Sequence, residues 1–294
     1  MAIISFWSLG KKETGQSLSM AATMTSMAVD HNFKILGLST EFMDKTLETC
    51  FFDVEREAAF KKTLDESRKL AMTGTNMPTT IGESKFDQGL EGLIKLIQSN
   101  RITQNIVKDY AKVVFKDRLD IIQSPGATDM DTYVETCKMV KTVAEVANRD
   151  YNMVFIDVDK SLPDNIAREL LEASDIVVVN MIQDQRSIRA LKELREKDEF
   201  FKGKNIIILV GRYDRFSRFN TLNITRDLKE KKEISAISYN TIFFEASEDG
   251  TVADFFLRYR NVTDKGDRNR SFMDQAKKTC DAIVYKLQEL QLGQ

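Results

Sequence analysis

The chain has 294 residues, of which 42% are hydrophobic and 30% are charged, a composition typical of one large α/β domain or two small ones. Its 43 basic and 45 acidic residues give a net charge of -2, so the overall charge gives no reason to expect binding to DNA or to an anionic membrane. The cysteines are widely spaced and no apolar run approaches the ~20 residues that span a bilayer, which argues against a disulfide framework and a transmembrane protein. The amino terminus has neither a basic start nor a cleavage site, and we expect a cytoplasmic protein whose mature form is the whole chain.

The first half of the chain predicts alternating strands and helices. Residues 2–7 form a short apolar run typical of a buried strand, residues 17–29 form a helix rich in methionine and alanine, and residues 33–39 form a second strand. Further predicted elements are a charged helical region over 47–72, an amphipathic helix over 85–98, a short strand over 119–123, and a helix over 129–148 capped by Thr128 or Asp129.

The second half continues the alternation and contains the strongest predicted strand, residues 151–157, which ends on Asp157. The remaining predicted elements are helices over 161–173, 185–197, 254–259 and 270–290, strands over 175–180 and 205–210, and a weaker strand region over 234–244. Strands without polar alternation, separated by helices, predict a mostly parallel sheet with helices on both faces. Because no linker and no internal repeat divides the chain, we expect a single domain over residues 1–294.

A glycine loop lies between the first predicted strand and the first predicted helix. Gly10, Gly15 and Ser17 match the phosphate-binding P-loop pattern G-x-x-x-x-G-K-[ST], but Gln16 stands in place of its lysine. Glycines let backbone N–H groups converge on phosphate oxygens, the helix amino terminus adds partial positive charge, and the serine hydroxyl is suited to bind Mg²⁺. Glutamine carries no charge, so a phosphate loses a charge-assisted partner that contributes about 1–3 kcal/mol. The alternative is a tight strand-to-helix turn without a ligand.

Lys11 lies four residues before Gly15 and offers a compensating charge. In this feature the loop resembles that of the ParA/MinD family of deviant Walker A P-loop ATPases, whose pattern K-G-G-x-G-K-[ST] carries a signature lysine at that place. The resemblance implies a single P-loop NTPase-like domain that uses ATP and Mg²⁺. It also implies a catalytic role for Lys11. The alternative for Lys11, Lys12 and Glu13 is a solvated turn.

The resemblance extends to the other strand ends, where ligands bind in open α/β sheets. Ser39 to Glu41 correspond to the family's D-x-D motif with the first acid lost, and Asp157 corresponds to its Walker B aspartate. The implied catalytic residues are Lys11 and Glu41, and the implied metal ligands are Ser17 and Asp157. The implied nucleotide-binding residues are Gly10, Lys11, Lys12, Glu13, Thr14, Gly15, Gln16, Ser17, Leu18, Asn180, Arg212 and Asp214.

Several of these residues have an ordinary structural alternative. Asp157 is equally explained as a loop carboxylate, Asp214 as a turn former and Glu41 as the leading acid of a helix. The segment from Gly211 to Asp214 matches the base-recognition pattern N-[KR]-x-D only with glycine in place of asparagine.

The function that the resemblance implies is a nucleotide-switched homodimer that positions a cellular cargo, such as a plasmid or chromosome, the division machinery, or a pilus or secretion assembly. An activating or cargo protein is the implied partner. Gln16, Ser39 and Glu41 depart from the family pattern, so we expect slow or absent ATP hydrolysis. One alternative is a nucleotide-free pseudo-ATPase that acts as a dimeric scaffold or localisation factor. A small-molecule kinase or ligase is a third, disfavoured by the missing lysine.

The sequence does not decide between DNA and a membrane as the surface on which such a protein would act, and the net charge supports neither. Basic residues near Phe216 and Phe219 are interspersed with acids, which favours a solvated face over a DNA site. The apolar stripe of residues 282–292 is more typical of packing against the domain than of membrane binding. The expected location is the cytoplasm, with the periphery of the nucleoid or the inner membrane face as candidates.

Overall fold

A computed structural model describes residues 2–10, 14–53, 89–101, 105–203, 205–264 and 266–292. These ranges contain one eight-stranded sheet with the order β3-β4-β2-β5-β1-β6-β7-β8. The strands are β1 Ala2–Ser8, β2 Ile35–Ser39, β3 Lys112–Phe115, β4 Leu119–Ile121, β5 Met153–Val158, β6 Ile176–Met181, β7 Ile206–Tyr213 and β8 Ser235–Ser238. All pairs are parallel except β3 and β4. The predicted α/β fold with a mostly parallel sheet is therefore confirmed.

The helices cover both faces of this sheet. They are α1 Gln16–Asp30, α2 Thr46–Thr49, α3 Leu90–Gln98, α4 Ile106–Tyr110, α5 Met130–Lys138, α6 Val140–Ala147, α7 Asp164–Glu172, α8 Gln185–Lys197, α9 Thr221–Asp227, α10 Thr241–Glu248, α11 Val252–Tyr259 and α12 Arg268–Leu292. Among the described residues, no helix is both long enough and apolar enough to cross a lipid bilayer.

The central strand β1 shows how the sheet divides the core. Successive side chains of a strand point to opposite faces. Ile4 and Phe6 accordingly belong to the core beneath α1 and α12, whereas Ile3 belongs to the core on the opposite face. The strand is buried on both sides, which explains why its sequence is mostly apolar rather than alternating. Its buried Ser5 hydroxyl forms a hydrogen bond with the Ser174 hydroxyl.

The structure departs from the predicted elements at several points. The edge strand β3 was not predicted, because it is four residues long and none of its side chains is fully buried. The predicted helix over 129–148 divides at Met139 into α5 and α6, and Asp129 caps it by accepting a hydrogen bond from the Thr132 N–H. Most of the predicted charged helical region over 47–72 lies outside the described residues.

Residues 239–244 were wrongly assigned to a strand. The strand β8 ends at Ser238, and the Asn240 side chain accepts a hydrogen bond from the Phe243 N–H to start α10. The apolar residues in this region are explained by the helix face that they form. The helix α9 was not predicted, and Asn220 caps it in the same way through the Asn223 N–H.

A cluster of four phenylalanines joins the last three helices. The ring of Phe256 is fully buried and lies 5.6 Å from Phe255 and 6.2 Å from both Phe243 and Phe272, measured between ring centroids. Rings at this spacing contribute both buried apolar area and favourable edge-to-face geometry. The cluster therefore fixes α10, α11 and α12 against one another.

We predict that Phe256→Ala lowers the free energy of unfolding by about 3–5 kcal/mol, because it leaves a cavity among the other rings. Urea denaturation followed by circular dichroism measures this loss. The matched control is Leu257→Ala on the same helix, whose side chain is 47% exposed. That variant is expected to lose less than about 1 kcal/mol. Equal losses in the two variants would contradict the assigned core.

Candidate functional site

An open cleft of about 910 Å³ lies at the carboxyl end of the sheet, where the glycine loop, α1 and the loops after β2 and β5 meet. Most of the predicted site residues line it. Those among the described residues are Gly10, Thr14, Gly15, Gln16, Ser17, Leu18, Glu41, Asp157 and Arg212. Lys11, Lys12 and Glu13 lie outside the described residues.

The glycine loop leads directly into α1. Gly15 has a φ of 69°, in the left-handed region that favours glycine, and the helix begins at the next residue. The side chains of Ser8 and Thr14 share a hydrogen bond between the end of β1 and the loop. The start of α1 consequently faces the cleft with its first backbone N–H groups, which is the arrangement that favours anions.

Gly211 in β7 permits the loop to lie close to the sheet. A Cβ atom at this position would stand 2.0 Å from the Thr14 carbonyl oxygen, well inside van der Waals contact. A side chain there would push the loop away from the sheet. This contact explains the glycine that replaces the asparagine of the base-recognition pattern.

Gln16 replaces the expected lysine and is held by the sheet itself. Its Nε2 donates to the carbonyl oxygens of Phe6 in β1 and Val158 in β5, at 3.0 Å each. It also donates to the Asp157 Oδ1 at 2.5 Å. An amide nitrogen has two hydrogens, so these three acceptors occupy its whole donor capacity. In this structure Gln16 ties the start of α1 to two central strands.

Asp157 is almost fully buried and has no basic partner among the groups that set its pKa. Burial and the nearby Glu41 carboxylate raise the pKa of Asp157 to about 7, although the neighbouring Ser17 hydroxyl and the hydrogen bond from Gln16 oppose the shift. Its Oδ2 is buried and has no hydrogen-bond partner among the described residues. A buried carboxylate oxygen in this state is a ready ligand for a cation.

Ser17 and Glu41 adjoin this carboxylate. The Ser17 hydroxyl donates to the Glu41 Oε1 at 3.2 Å, and the Glu41 Oε2 accepts the Thr46 N–H at 2.8 Å. Glu41 thus caps the short helix α2 while it lines the cleft. Burial raises the pKa of Glu41.

The donor set fits Mg²⁺. The hydroxyl of Ser17 and the unpartnered oxygen of Asp157 are hard oxygen ligands of the kind that Mg²⁺ binds. The described residues contain no group of three or more acidic, histidine or cysteine side chains arranged as a metal cage. An ion held here would take its remaining ligands from water or phosphate.

Two predicted nucleotide-binding residues do not line the cleft. Asn180 is fully buried at the end of β6, and its Oδ1 has no hydrogen-bond partner within the part of the chain that the structure describes. Asp214 is exposed and accepts the Phe216 N–H at 2.9 Å, as a turn-forming aspartate does. Arg212 lines the cleft with a φ of 51°, and its Cγ is 3.4 Å from the position of a Cβ built on Gly15.

The structure adds Lys160 to the cleft. The sequence places this residue just after a strand end, but no role was predicted for it. Its Nζ lies 3.8 Å from the ring centroid of Trp7. The residue belongs to the loop after Asp157. The family that the chain resembles carries the pattern D-x-x-[PA]-G from this aspartate onward, and Lys160 stands where that pattern has proline or alanine. This departure was the available signal.

A scan of the sequence against protein-family profiles finds no match, and no curated protein sequence matches it. Solved structures do share its fold. The ParA family ATPase of Chlorobium tepidum TLS superposes with a TM-score of 0.64 at 14% identity, over 97% of this chain and 98% of that one. The septum site-determining protein MinD of Pyrococcus horikoshii OT3, complexed with Mg-ADP, gives 0.60 at 14% identity over 97% and 98%. The MinC:MinD cell division complex of Aquifex aeolicus gives 0.55 at 14% identity over 95% of each chain.

These structures confirm the predicted resemblance in fold. Their similarity covers nearly the whole chain, from the first strand to the last helix. The chain therefore has a ParA/MinD-like P-loop NTPase fold.

The raised pKa of Asp157 predicts a pH-dependent stability in metal-free buffer. The pKa of this carboxyl is about 7 in the folded state, whereas the ordinary value for an aspartate side chain is 3.8. The stability that this protonated carboxyl contributes is fully present below pH 3.8 and is lost as the pH rises through about 7. Asp157→Asn stays neutral, so its stability relative to the wild type should rise between pH 4 and pH 8. The gain is about 1.4 kcal/mol for each unit of raised pKa.

Urea denaturation with EDTA at several pH values measures this difference. The control is Asp44→Asn, which removes an exposed carboxylate that lines the same cleft. The same pH trend in that variant would show that the effect does not belong to the buried carboxylate. If the curves for Asp157→Asn and the wild type run parallel from pH 4 to pH 8, the buried carboxylate is not protonated as described.

Proposed function

We propose that the chain is an atypical ParA/MinD-like ATP-binding protein, with residues 1–294 as a single nucleotide-binding domain. The observation that carries this proposal is the glycine loop, which presents the start of α1 to an open cleft together with Ser17 and the unpartnered oxygen of Asp157. Backbone N–H groups, a helix amino terminus and a site for a hard cation are what a nucleotide phosphate requires. The similar structure of P. horikoshii MinD contains Mg-ADP.

The charges in the cleft make Mg²⁺ part of the proposal. The described lining residues include the carboxylates Glu41, Asp44, Asp157, Asp159, Asp164 and Glu248, and the cations Lys160 and Arg212. A free ATP anion would meet repulsion from this excess of acids. Bound Mg²⁺ would supply positive charge and, in hydrolysis, would stabilise charge on the phosphate oxygens. Ser17 and Asp157 are the residues that would hold it.

Hydrolysis is proposed to be slow or absent. The amide of Gln16 is held by Phe6, Asp157 and Val158 and carries no charge toward a transferring phosphate. Glu41, the proposed catalytic acid, is occupied by the Ser17 hydroxyl and the Thr46 N–H. Both groups would have to leave these partners to take part in catalysis.

The protein would act as a nucleotide-dependent homodimer that positions a cargo through a partner protein. Lys11 is the proposed group that reaches the phosphates of the other subunit. The A. aeolicus MinD structure is a complex with MinC, which supports a partner-binding role for this fold. The proposed location is the cytoplasm, with action at the nucleoid or the inner membrane face.

A second candidate is a nucleotide-free dimeric scaffold. The hydrogen bonds of Gln16 favour the scaffold, because they join the start of α1 to the Phe6 and Val158 carbonyl oxygens without a bound ligand. The two candidates differ in a measurable way, since only the first requires nucleotide to bind.

We expect Mg²⁺-dependent binding of ATP in the micromolar range, on the order of −8 kcal/mol, in isothermal titration calorimetry. Replacing Mg²⁺ with EDTA should weaken binding at least about tenfold, because the cleft then keeps its excess negative charge. Ser17→Ala removes a proposed Mg²⁺ ligand, so ATP binding to this variant should depend much less on Mg²⁺. An absence of heat at millimolar ATP, together with an unchanged melting temperature, would favour the scaffold instead.

We also predict that Lys11→Ala abolishes ATP-dependent dimerisation, because it removes the charge proposed to reach the partner's phosphates. Sedimentation velocity with saturating ATP and Mg²⁺ measures the dimer fraction. The adjacent Lys12→Ala serves as the control and should still dimerise when ATP is saturating. An unchanged dimer fraction in Lys11→Ala would remove Lys11 from the mechanism.

A further inference from the structure

Lys160 brings a positive charge into a cleft dominated by carboxylates. It lines the cleft with Arg212, and no hydrogen bond or ion pair within the described part of the chain holds its ammonium group. Its one close partner there is the indole of Trp7, 3.8 Å away. An ammonium group has three hydrogen-bond donors, and an aromatic face satisfies none of them with an oxygen acceptor.

The loop that carries Lys160 is fixed to the neighbouring strand end. The Thr40 hydroxyl donates to the Asp157 carbonyl oxygen at 3.0 Å and accepts the Asp159 N–H at 2.8 Å. The Asp159 carboxylate accepts the Phe42 N–H and the Ser161 hydroxyl. Asp159 is therefore occupied by the loops, and the adjacent lysine remains directed at the Trp7 ring and the cleft.

The half-buried setting leaves this charge poorly compensated. Burial lowers the pKa of Lys160 to about 8, and the nearby Asp164 only partly opposes the shift. The group is still mostly charged at neutral pH. An anion bound in the cleft would stabilise the charged form of the ammonium group.

We propose that Lys160 binds the phosphate groups of the nucleotide and supplies the positive charge that Gln16 does not. The inference rests on the proposed nucleotide binding. When nucleotide enters the cleft, the Lys160 ammonium group leaves the face of the Trp7 ring and binds phosphate oxygens. Such a charge-assisted bond is stronger than contact with an aromatic ring at a half-exposed site.

Trp7 allows a direct test, because it is the single tryptophan of the chain. Its fluorescence should change when ATP and Mg²⁺ are added to the wild type and remain unchanged with adenosine, which has no phosphate. In Lys160→Met, which keeps the packing but removes the charge, the dissociation constant for ATP should rise about tenfold or more, and the fluorescence change should disappear. Lys160→Arg should recover most of the affinity. Lys141→Met removes a lysine paired with Glu169 outside the cleft and should behave as wild type.

Calorimetry on the same samples separates the two proposals. If the wild type binds ATP but Lys160→Met binds equally tightly with the same fluorescence change, the role of Lys160 is overturned and nucleotide binding stands. If the wild type binds no ATP, both proposals fall. The wild-type comparison of ATP with adenosine does not depend on whether a variant folds, and an identical response to the two ligands would also overturn the assignment.

Discussion

The three hydrogen bonds of the Gln16 amide are the constraint on which the site depends. They join the first residue of α1 to β1 and β5, so the helix start, the glycine loop and the buried Asp157 hold fixed relative positions. A lysine at this position would add positive charge beside Asp157. Glutamine provides only a neutral donor, which explains why burial dominates and raises the pKa of the carboxyl group. The presence of glutamine instead of lysine at position 16 therefore affects both the geometry and the charge of the cleft.

The remainder of the site is built by close approach of the backbone. Gly211 lets the Thr14 carbonyl lie against β7, and Thr40 links the loops after β2 and β5. These bonds hold the loops at one edge of the cleft, whose lining combines polar side chains with Leu18, Phe42 and Phe244. Beneath them, parallel strands buried on both faces form a rigid base. The arrangement separates a rigid support from a polar, accessible edge.

Binding and turnover make different demands on this edge. Binding needs converging N–H groups and a cation, which the loop and the pair Ser17 and Asp157 are suited to provide. Turnover also needs charge placed where it develops in the transition state. Of the two residues expected to serve that purpose, Glu41 is engaged by the Ser17 hydroxyl and the Thr46 N–H, and Lys11 lies outside the described residues.

The sequence by itself determined the sheet, most of the helices and the cluster of polar residues at the strand ends, because apolar runs and glycine spacing are local properties of the chain. It also limited the helix cap to Thr128 or Asp129 and placed Asp157 at the end of its strand. It missed β3, α4 and α9, which are short, and assigned residues 239–244 to a strand, where a helix cap decides the outcome. Only the tertiary structure decided which groups Gln16 contacts, why position 211 is glycine, and that Lys160 lies over Trp7. Each of these contacts joins residues far apart in sequence, and they meet because β1 lies between β5 and β6 in the sheet while β7 lies next to β6.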